Sequence, residues 1–216
     1  MLKMKTLVYF IRHGQSVGNR DRIFLGHTDM PLTELGREQA RLAGVYIKKM
    51  GITPDAVYAS PLSRAYETAT LASGVESPIP DDGLREIYAG VWEGMLYEDI
   101  IKTYGEDYGT WFTDLGNAKP TGGESVLALS ERVVGAVLRI AAENEGKTVL
   151  IGSHATPVRM LEAYARGLSI AEAHTVPWAP NASLSAYLCE GETVTPLFYG
   201  FDAYIGALST TVAKNL

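Results

Sequence analysis

The 216-residue chain contains a single cysteine, Cys189. No disulfide can form within it, and neither a disulfide framework nor a cysteine-rich zinc site is available. No apolar run approaches the roughly 18 residues of a membrane-spanning helix. The opening Met1-Leu2-Lys3-Met4-Lys5-Thr6 also lacks a long apolar stretch ending in a small-residue cleavage site. The expected location is therefore the cytoplasm. Positive charge is in deficit: 19 Lys and Arg stand against 25 Asp and Glu, a net charge of -6. That balance argues against nucleic acid or an anionic membrane as a partner, since both demand a basic face, but it allows a small basic pocket. Histidine is scarce too, with four in all, none at the short spacing of a zinc helix. No metal and no cofactor are expected.

What is present suits a buried core, since 46% of the residues are hydrophobic. The length fits one α/β domain over residues 1–216, with residues 95–123 as an insertion. Thr6 to Ile11 is a short apolar run that reads as a buried strand and stops at Arg12-His13-Gly14. From Thr33 to Met50 a capping residue opens an amphipathic helix, with Leu35, Leu42, Ala43 and Tyr46 on one face and Gly51 closing it. A second strand, Ala56 to Ala59, leads into Ser60-Pro61 and a helix through Arg64 to about Ala72, with Ser60 expected as its cap. The helix Ser125 to Glu145 ends at Gly146 and feeds a third strand, Thr148 to Gly152, followed by Ser153-His154 and a helix from about Thr156 to Arg166. Ser153, like Ser60, is read as a helix cap. Leu184 to Leu188 and Thr193 to Phe198 flank Glu190-Gly191 as a hairpin at the sheet edge, and the chain beyond about Ala207 reads as a loosely held tail. The pattern predicts a three-layer α/β/α fold with a mostly parallel central sheet, an antiparallel edge strand and a small helical insertion.

Three strand-to-helix units thus place Arg12-His13, Ser60 with Arg64, and Ser153-His154 beyond the carboxyl ends of their strands, where open α/β sheets bind ligands. Two histidines and two arginines gathered there would repel one another unless an anion sat among them. Phosphate is the natural guest. Guanidinium offers paired planar donors, helix N-termini add backbone N–H groups, and neutral imidazole is a competent nucleophile toward phosphorus.

Five stretches carry a resemblance: Arg12-His13-Gly14-Gln15-Ser16 with Asn19; Gly26-His27-Thr28-Asp29-Met30-Pro31-Leu32-Thr33-Glu34-Leu35-Gly36; Ala59-Ser60-Pro61-Leu62-Ser63-Arg64-Ala65-Tyr66-Glu67-Thr68-Ala69; Leu84-Arg85-Glu86; and Gly152-Ser153-His154. In that order they resemble the histidine phosphatase superfamily, also called phosphoglycerate-mutase-like. The resemblance implies that His13 attacks phosphorus while Arg12, Arg64 and His154 hold the phosphoryl oxygens. It implies a phosphate contact for Asn19 and a proton donor in Glu86. Gln15-Ser16 stands where Glu-Thr is commoner, and these two, with His27 near the pocket mouth, are expected as further phosphate or substrate contacts. His13 needs an unprotonated attacking nitrogen, so a backbone carbonyl is expected to hold the proton of the other. His154 is expected to act as a charged donor. Glu93, close to Glu86 in sequence, is a rival for the acid.

Residues 95–123 carry Tyr97, Tyr104, Tyr108, Trp111 and Phe112 and read either as a lid over the site or as a packed excursion. Glu98, Asp99, Glu106, Asp107 and Asp114 outweigh Lys102 and Lys119 there, which favours a small monophosphate ester with a neutral or apolar remainder. The leading reading is a metal-independent phosphomonoesterase. A cofactor-dependent phosphoglycerate mutase and a non-turnover module that binds a phosphorylated ligand are the alternatives, and a homodimer is compatible with the sequence.

Overall fold

The computed structural model describes residues 4–211. Six strands form one sheet in the order β3-β2-β4-β1-β5-β6, namely Ile79–Pro80, Ala56–Ala59, Thr148–Ser153, Thr6–Arg12, Leu184–Glu190 and Thr193–Phe201. β1, β2, β3 and β4 run parallel, while β5 pairs antiparallel with both β1 and β6. The expected hairpin thus forms the antiparallel edge.

Alternation along the strands divides the core. Val8, Phe10, Val149, Ile151 and Tyr58 face a cluster with α6 (Val126–Glu143) and α7 (Ala155–Ala165). Ile11, Leu150, Val57 and Ala59 face a second cluster with α2 (Glu34–Lys49) and α3 (Ser63–Ser73). Three layers follow, as the sequence predicts, and each fully buried large aliphatic or aromatic side chain contributes about 1.5–3 kcal/mol. α2 begins after Thr33, whose hydroxyl accepts the Gly36 N–H, but its most buried residues are Gly36, Gln39, Ala40, Ala43 and Ile47. Leu35, Leu42 and Tyr46 are only half-buried. Small residues take the face because α2 packs closely on α3 and the loop after β1.

Two caps differ from expectation. α3 starts at Ser63, and its end is held by Asp29, whose carboxylate accepts the Ser63 N–H at 3.0 Å and the Ser63 hydroxyl at 3.0 Å. Ser60 lies too far upstream. Ser153 closes β4, and its hydroxyl donates to the Leu84 carbonyl at 2.6 Å rather than capping α7. A short helix, α1 (Val17–Asp21), follows the first motif, with Ser16 as its cap. Residues 95–123 form α4 (Tyr97–Thr103), α5 (Gly105–Thr113) and a short turn. The segment after Ala207 is tied down as far as Thr210: Gln39 donates to the Leu208 carbonyl at 2.7 Å and to the Thr210 hydroxyl at 3.0 Å, and Asn181 donates its N–H to the Thr210 carbonyl at 2.8 Å. These bonds correct the loose-tail reading over that stretch; the remainder of the tail lies outside the described residues. No helix among the described residues is long and apolar enough to cross a membrane.

Candidate active site

Register aligns the three motif-bearing strand ends. Arg12 stands opposite Ser153 and Ala59 opposite Gly152. Just beyond, the His13 N–H donates to the Ser153 carbonyl and the Ser60 N–H to the Gly152 carbonyl, both at 2.9 Å. The loop after His13 then passes so close to α2 that a Cβ on Gly14 would lie 2.2 Å from the Gly36 carbonyl oxygen, and one on Gly36 would lie 2.1 Å from the Gln15 oxygen. Only two glycines permit that approach. Thr68 adds a pin, its hydroxyl accepting the Gly14 N–H at 3.1 Å while donating to the Arg64 carbonyl at 2.7 Å.

The His13 and His154 rings meet edge to face with centroids 5.2 Å apart. His13 Nδ1 lies 2.7 Å from the Gly14 carbonyl oxygen. A carbonyl can only accept, so Nδ1 carries the proton and Nε2 keeps its lone pair, as the sequence argument required. Burial holds the His13 pKa well below the usual histidine range, and the nearby Arg64 and Arg12 charges push the same way. His154 Nε2 lies 2.8 Å from the Ser60 hydroxyl, and its buried Nδ1 has no partner among the described residues. Its pKa too is held well below the usual range, first by burial and then by Arg64, His13 and Arg12. Burial and the neighbouring guanidinium charges thus disfavour the charged form of His154.

Those arginines are held by main-chain oxygens. Arg12 donates from Nη1 to the Ala179 carbonyl at 2.5 Å, and its buried Nε has no partner among the described residues. Burial lowers its pKa to about 10. Arg64 donates to the carbonyls of Thr28 at 3.0 Å and Gly26 at 2.8 Å and lies 3.5 Å from an Asp29 oxygen. Burial lowers its pKa as well, against the pull of Glu86 and Asp29.

Arg12, His13, Asn19, Arg64 and Glu86 line one pocket, together with Ala155 and Thr156 at the start of α7. Glu86 is half-buried and accepts the Ile87 N–H at 2.9 Å and the Thr156 N–H at 3.3 Å. The His154 side chain does not cap α7; in its first turn the Thr156 N–H is taken by Glu86 and Pro157 has no N–H to offer. The remaining lining is apolar or aromatic: Ile23, Phe24, Leu25, Tyr97, Tyr108, Trp111, Phe112 and Trp178, with Gly26. Trp178 lies under the Arg159 guanidinium, 4.1 Å from its ring centroid, and stacks with Trp111.

Such an arrangement offers a neutral nucleophilic nitrogen, two guanidinium groups and a carboxyl group to one small anion. Residues 8–201 match the histidine phosphatase superfamily, branch 1. The chain belongs to that family. It is 30% identical to phosphoserine phosphatase 1 of Hydrogenobacter thermophilus, over 75% of this chain and 77% of that one. It is 33% identical to the adenosylcobalamin/alpha-ribazole phosphatase of Escherichia coli, over 74% and 79% of the two chains. A 2,3-bisphosphoglycerate-dependent phosphoglycerate mutase of Chelativorans is 35% identical over 77% and 84%. Among solved structures, Bacillus stearothermophilus YhfR superposes with a TM-score of 0.87 at 29% identity, over 93% of this chain and 99% of that one. Membership makes the protein a phosphoryl-transfer enzyme working through a phosphohistidine, and the phosphatases among its relatives support a phosphoric monoester hydrolase.

Four expected contacts, His154, Gln15, Ser16 and His27, lie outside the pocket lining, with His154 packed edge to face on His13. Gln15 accepts the Thr33 hydroxyl at 2.9 Å and so braces the start of α2. Ser16 caps α1, accepting the Asn19 N–H at 3.1 Å, so its hydroxyl is spent on the helix. His27 turns its Nε2 to the Glu86 carbonyl at 2.9 Å and packs on Tyr88. Glu93, the rival acid, accepts the N–H groups of His27 at 2.7 Å, Thr28 at 2.6 Å and Ala89 at 2.9 Å, and holds the loop that carries Arg64's acceptors. Asn181 escaped the sequence reading. Buried beneath the motif, it donates to the His13 carbonyl at 3.0 Å and to the Asn19 side chain at 3.1 Å. The next residue, Ala182, stands at φ +53, and no residue pattern in the sequence announces either feature.

Proposed function

We propose that the protein hydrolyses monophosphate esters of apolar or aromatic alcohols, with His13 as nucleophile and Glu86 as proton donor. The observation that carries the reading is the His13 Nδ1–Gly14 carbonyl bond of 2.7 Å, which leaves the Nε2 lone pair free in a pocket shared with Arg12, Arg64 and Glu86. Nε2 attacks phosphorus, the ester P–O bond breaks, and its electron pair leaves on the alkoxide oxygen, which takes the Glu86 proton. Arg12 and Arg64 hold the phosphoryl oxygens as charge builds on them. Water then attacks the phosphohistidine, the P–N bond breaks, and Glu86 recovers a proton from that water. A bound dianion offsets the arginine charges and favours protonation of His154, which then donates to a phosphoryl oxygen. Asn19 contributes a further contact.

Hydrolysis is preferred over the mutase reaction because, among the described residues, Arg12 and Arg64 are the only lysine or arginine side chains lining the pocket. A mutase ligand brings a carboxylate and a second phosphate, each needing its own counter-charge. In this reading residues 95–123 close over the leaving group, contributing Tyr97, Tyr108, Trp111 and Phe112. p-Nitrophenyl phosphate should be turned over without added metal, and rapid quenching should trap acid-labile, base-stable phosphate that disappears in His13→Ala. Glu86→Gln should slow alkyl phosphates far more than p-nitrophenyl phosphate, whose leaving group hardly needs a proton. Incubation with 3-phosphoglycerate and catalytic 2,3-bisphosphoglycerate should give hydrolysis at most; dominant isomerisation would overturn the preference.

A further inference from the structure

Four consecutive carbonyls lead up to the carboxyl group assigned above as the proton donor, and each is gripped by a side chain distant in sequence. Arg132, on α6, donates from Nη1 to the carbonyls of Gly83 at 2.9 Å and Arg85 at 3.0 Å, and from Nη2 to that of Glu86 at 3.3 Å. Ser153 holds the Leu84 carbonyl at 2.6 Å, and His27 Nε2 lies 2.9 Å from the Glu86 carbonyl. Arg132 is itself fixed by Glu124, which accepts from Nε at 2.9 Å and Nη2 at 2.8 Å. Glu124 also accepts the Tyr88 N–H at 3.3 Å, so the chain is held on both sides of Glu86.

This grip has work to do. Residues 85–89 belong to no helix or strand, so no regular ladder fixes the Glu86 backbone. A guanidinium can serve several carbonyl oxygens at once because its donors are planar and splayed; an ammonium acts as a single point. We propose that Arg132, clamped by Glu124, is the positioning residue for Glu86, setting where its carboxyl group stands relative to the leaving oxygen. Arg132 does not line the pocket and touches no reacting atom. The inference rests on the assignment of Glu86 as the acid.

Misplacing a general acid by about 1 Å costs up to about a hundredfold, and only where the leaving group needs its proton. The test compares kcat/KM for 2-phenylethyl phosphate and p-nitrophenyl phosphate in Arg132→Met, Arg132→Lys and Glu124→Gln, with Glu86→Gln alongside. Arg132→Met should lose about 10- to 100-fold on the alkyl ester and stay within about threefold on the aryl ester. Arg132→Lys should recover part of the loss, and Glu124→Gln should show the same selectivity to a smaller extent. Should Arg132→Met fail to fold, Glu124→Gln carries the comparison. Equal losses on both esters, or no loss on either, would overturn the positioning role. A selective loss in Glu86→Gln without one in the Arg132 and Glu124 variants defeats this inference alone, whereas no selective loss in Glu86→Gln removes the acid assignment beneath it.

Discussion

His13 and His154 are buried beside two arginines and resist protonation, so acid should destabilise the fold by a calculable amount. Their folded pKa values lie well below 6.5, the ordinary value that the unfolded chain regains. Above about pH 6.5 both states carry neutral imidazoles and the pair makes no difference. As the pH falls below that value the unfolded chain takes up protons the folded one refuses, and stability drops by about 1.4 kcal/mol per pH unit for each histidine. Between about pH 7.5 and about pH 5.5 this amounts to at most about 1–2 kcal/mol per ring. Paired carboxylates lose stability in acid too, so the histidine share has to be isolated. His154→Gln removes one ring, and urea unfolding of both proteins across that range gives the difference. The stability gap between parent and variant should move in favour of the variant toward acid, by at most about 1–2 kcal/mol. Inorganic phosphate, which favours the protonated rings, should flatten the parent's dependence. A gap that stays constant with pH, or moves the other way, would refute the claim that burial and guanidinium charge keep this imidazole neutral.

Gly14→Ala should destabilise the protein by about 1–3 kcal/mol, because the new methyl collides with the Gly36 carbonyl, and should lower turnover of every ester by displacing His13's acceptor; urea unfolding and steady-state kinetics read the two effects. Glu93→Gln should slacken the loop that holds Arg64 and slow aryl and alkyl phosphates alike, in contrast to Glu86→Gln; a selective loss would restore Glu93 as an acid. Trp178→Ala should raise KM for aryl phosphates several-fold while the trapped phosphohistidine still forms, and unchanged KM would remove this ring from the leaving-group wall.

The parts of the site that sequence made legible are those fixed by local rules. A strand ending in Arg12-His13, another in Ser153-His154 and a helix carrying Arg64 each announce themselves within a dozen residues, and parallel pairing then brings their ends level. Ser60 and Ser153 misled because a serine before a helix is a good cap only when no distant partner competes; here His154 and the Leu84 carbonyl do. Gln15, Ser16 and His27 failed for the same reason, their polar atoms being spent on Thr33, Asn19 and the Glu86 backbone. Asn181 and Arg132 were invisible because their meaning lies in carbonyls tens of residues away. The aromatic insertion could not be decided between core and site from composition, and the structure shows why: Tyr108 and Trp111 are buried in the main core and line the pocket as well.

The placement of β1 has a consequence for the order in which the molecule can be completed on the ribosome. The strand that delivers His13 is made well before its two neighbours, residues 148–153 and 184–190, and before Asn181, which holds the His13 carbonyl. A nascent chain therefore carries its nucleophile through the synthesis of residues 14–183 without a finished seat for it. That seat can close only once residues 184–190 are available to pair with β1.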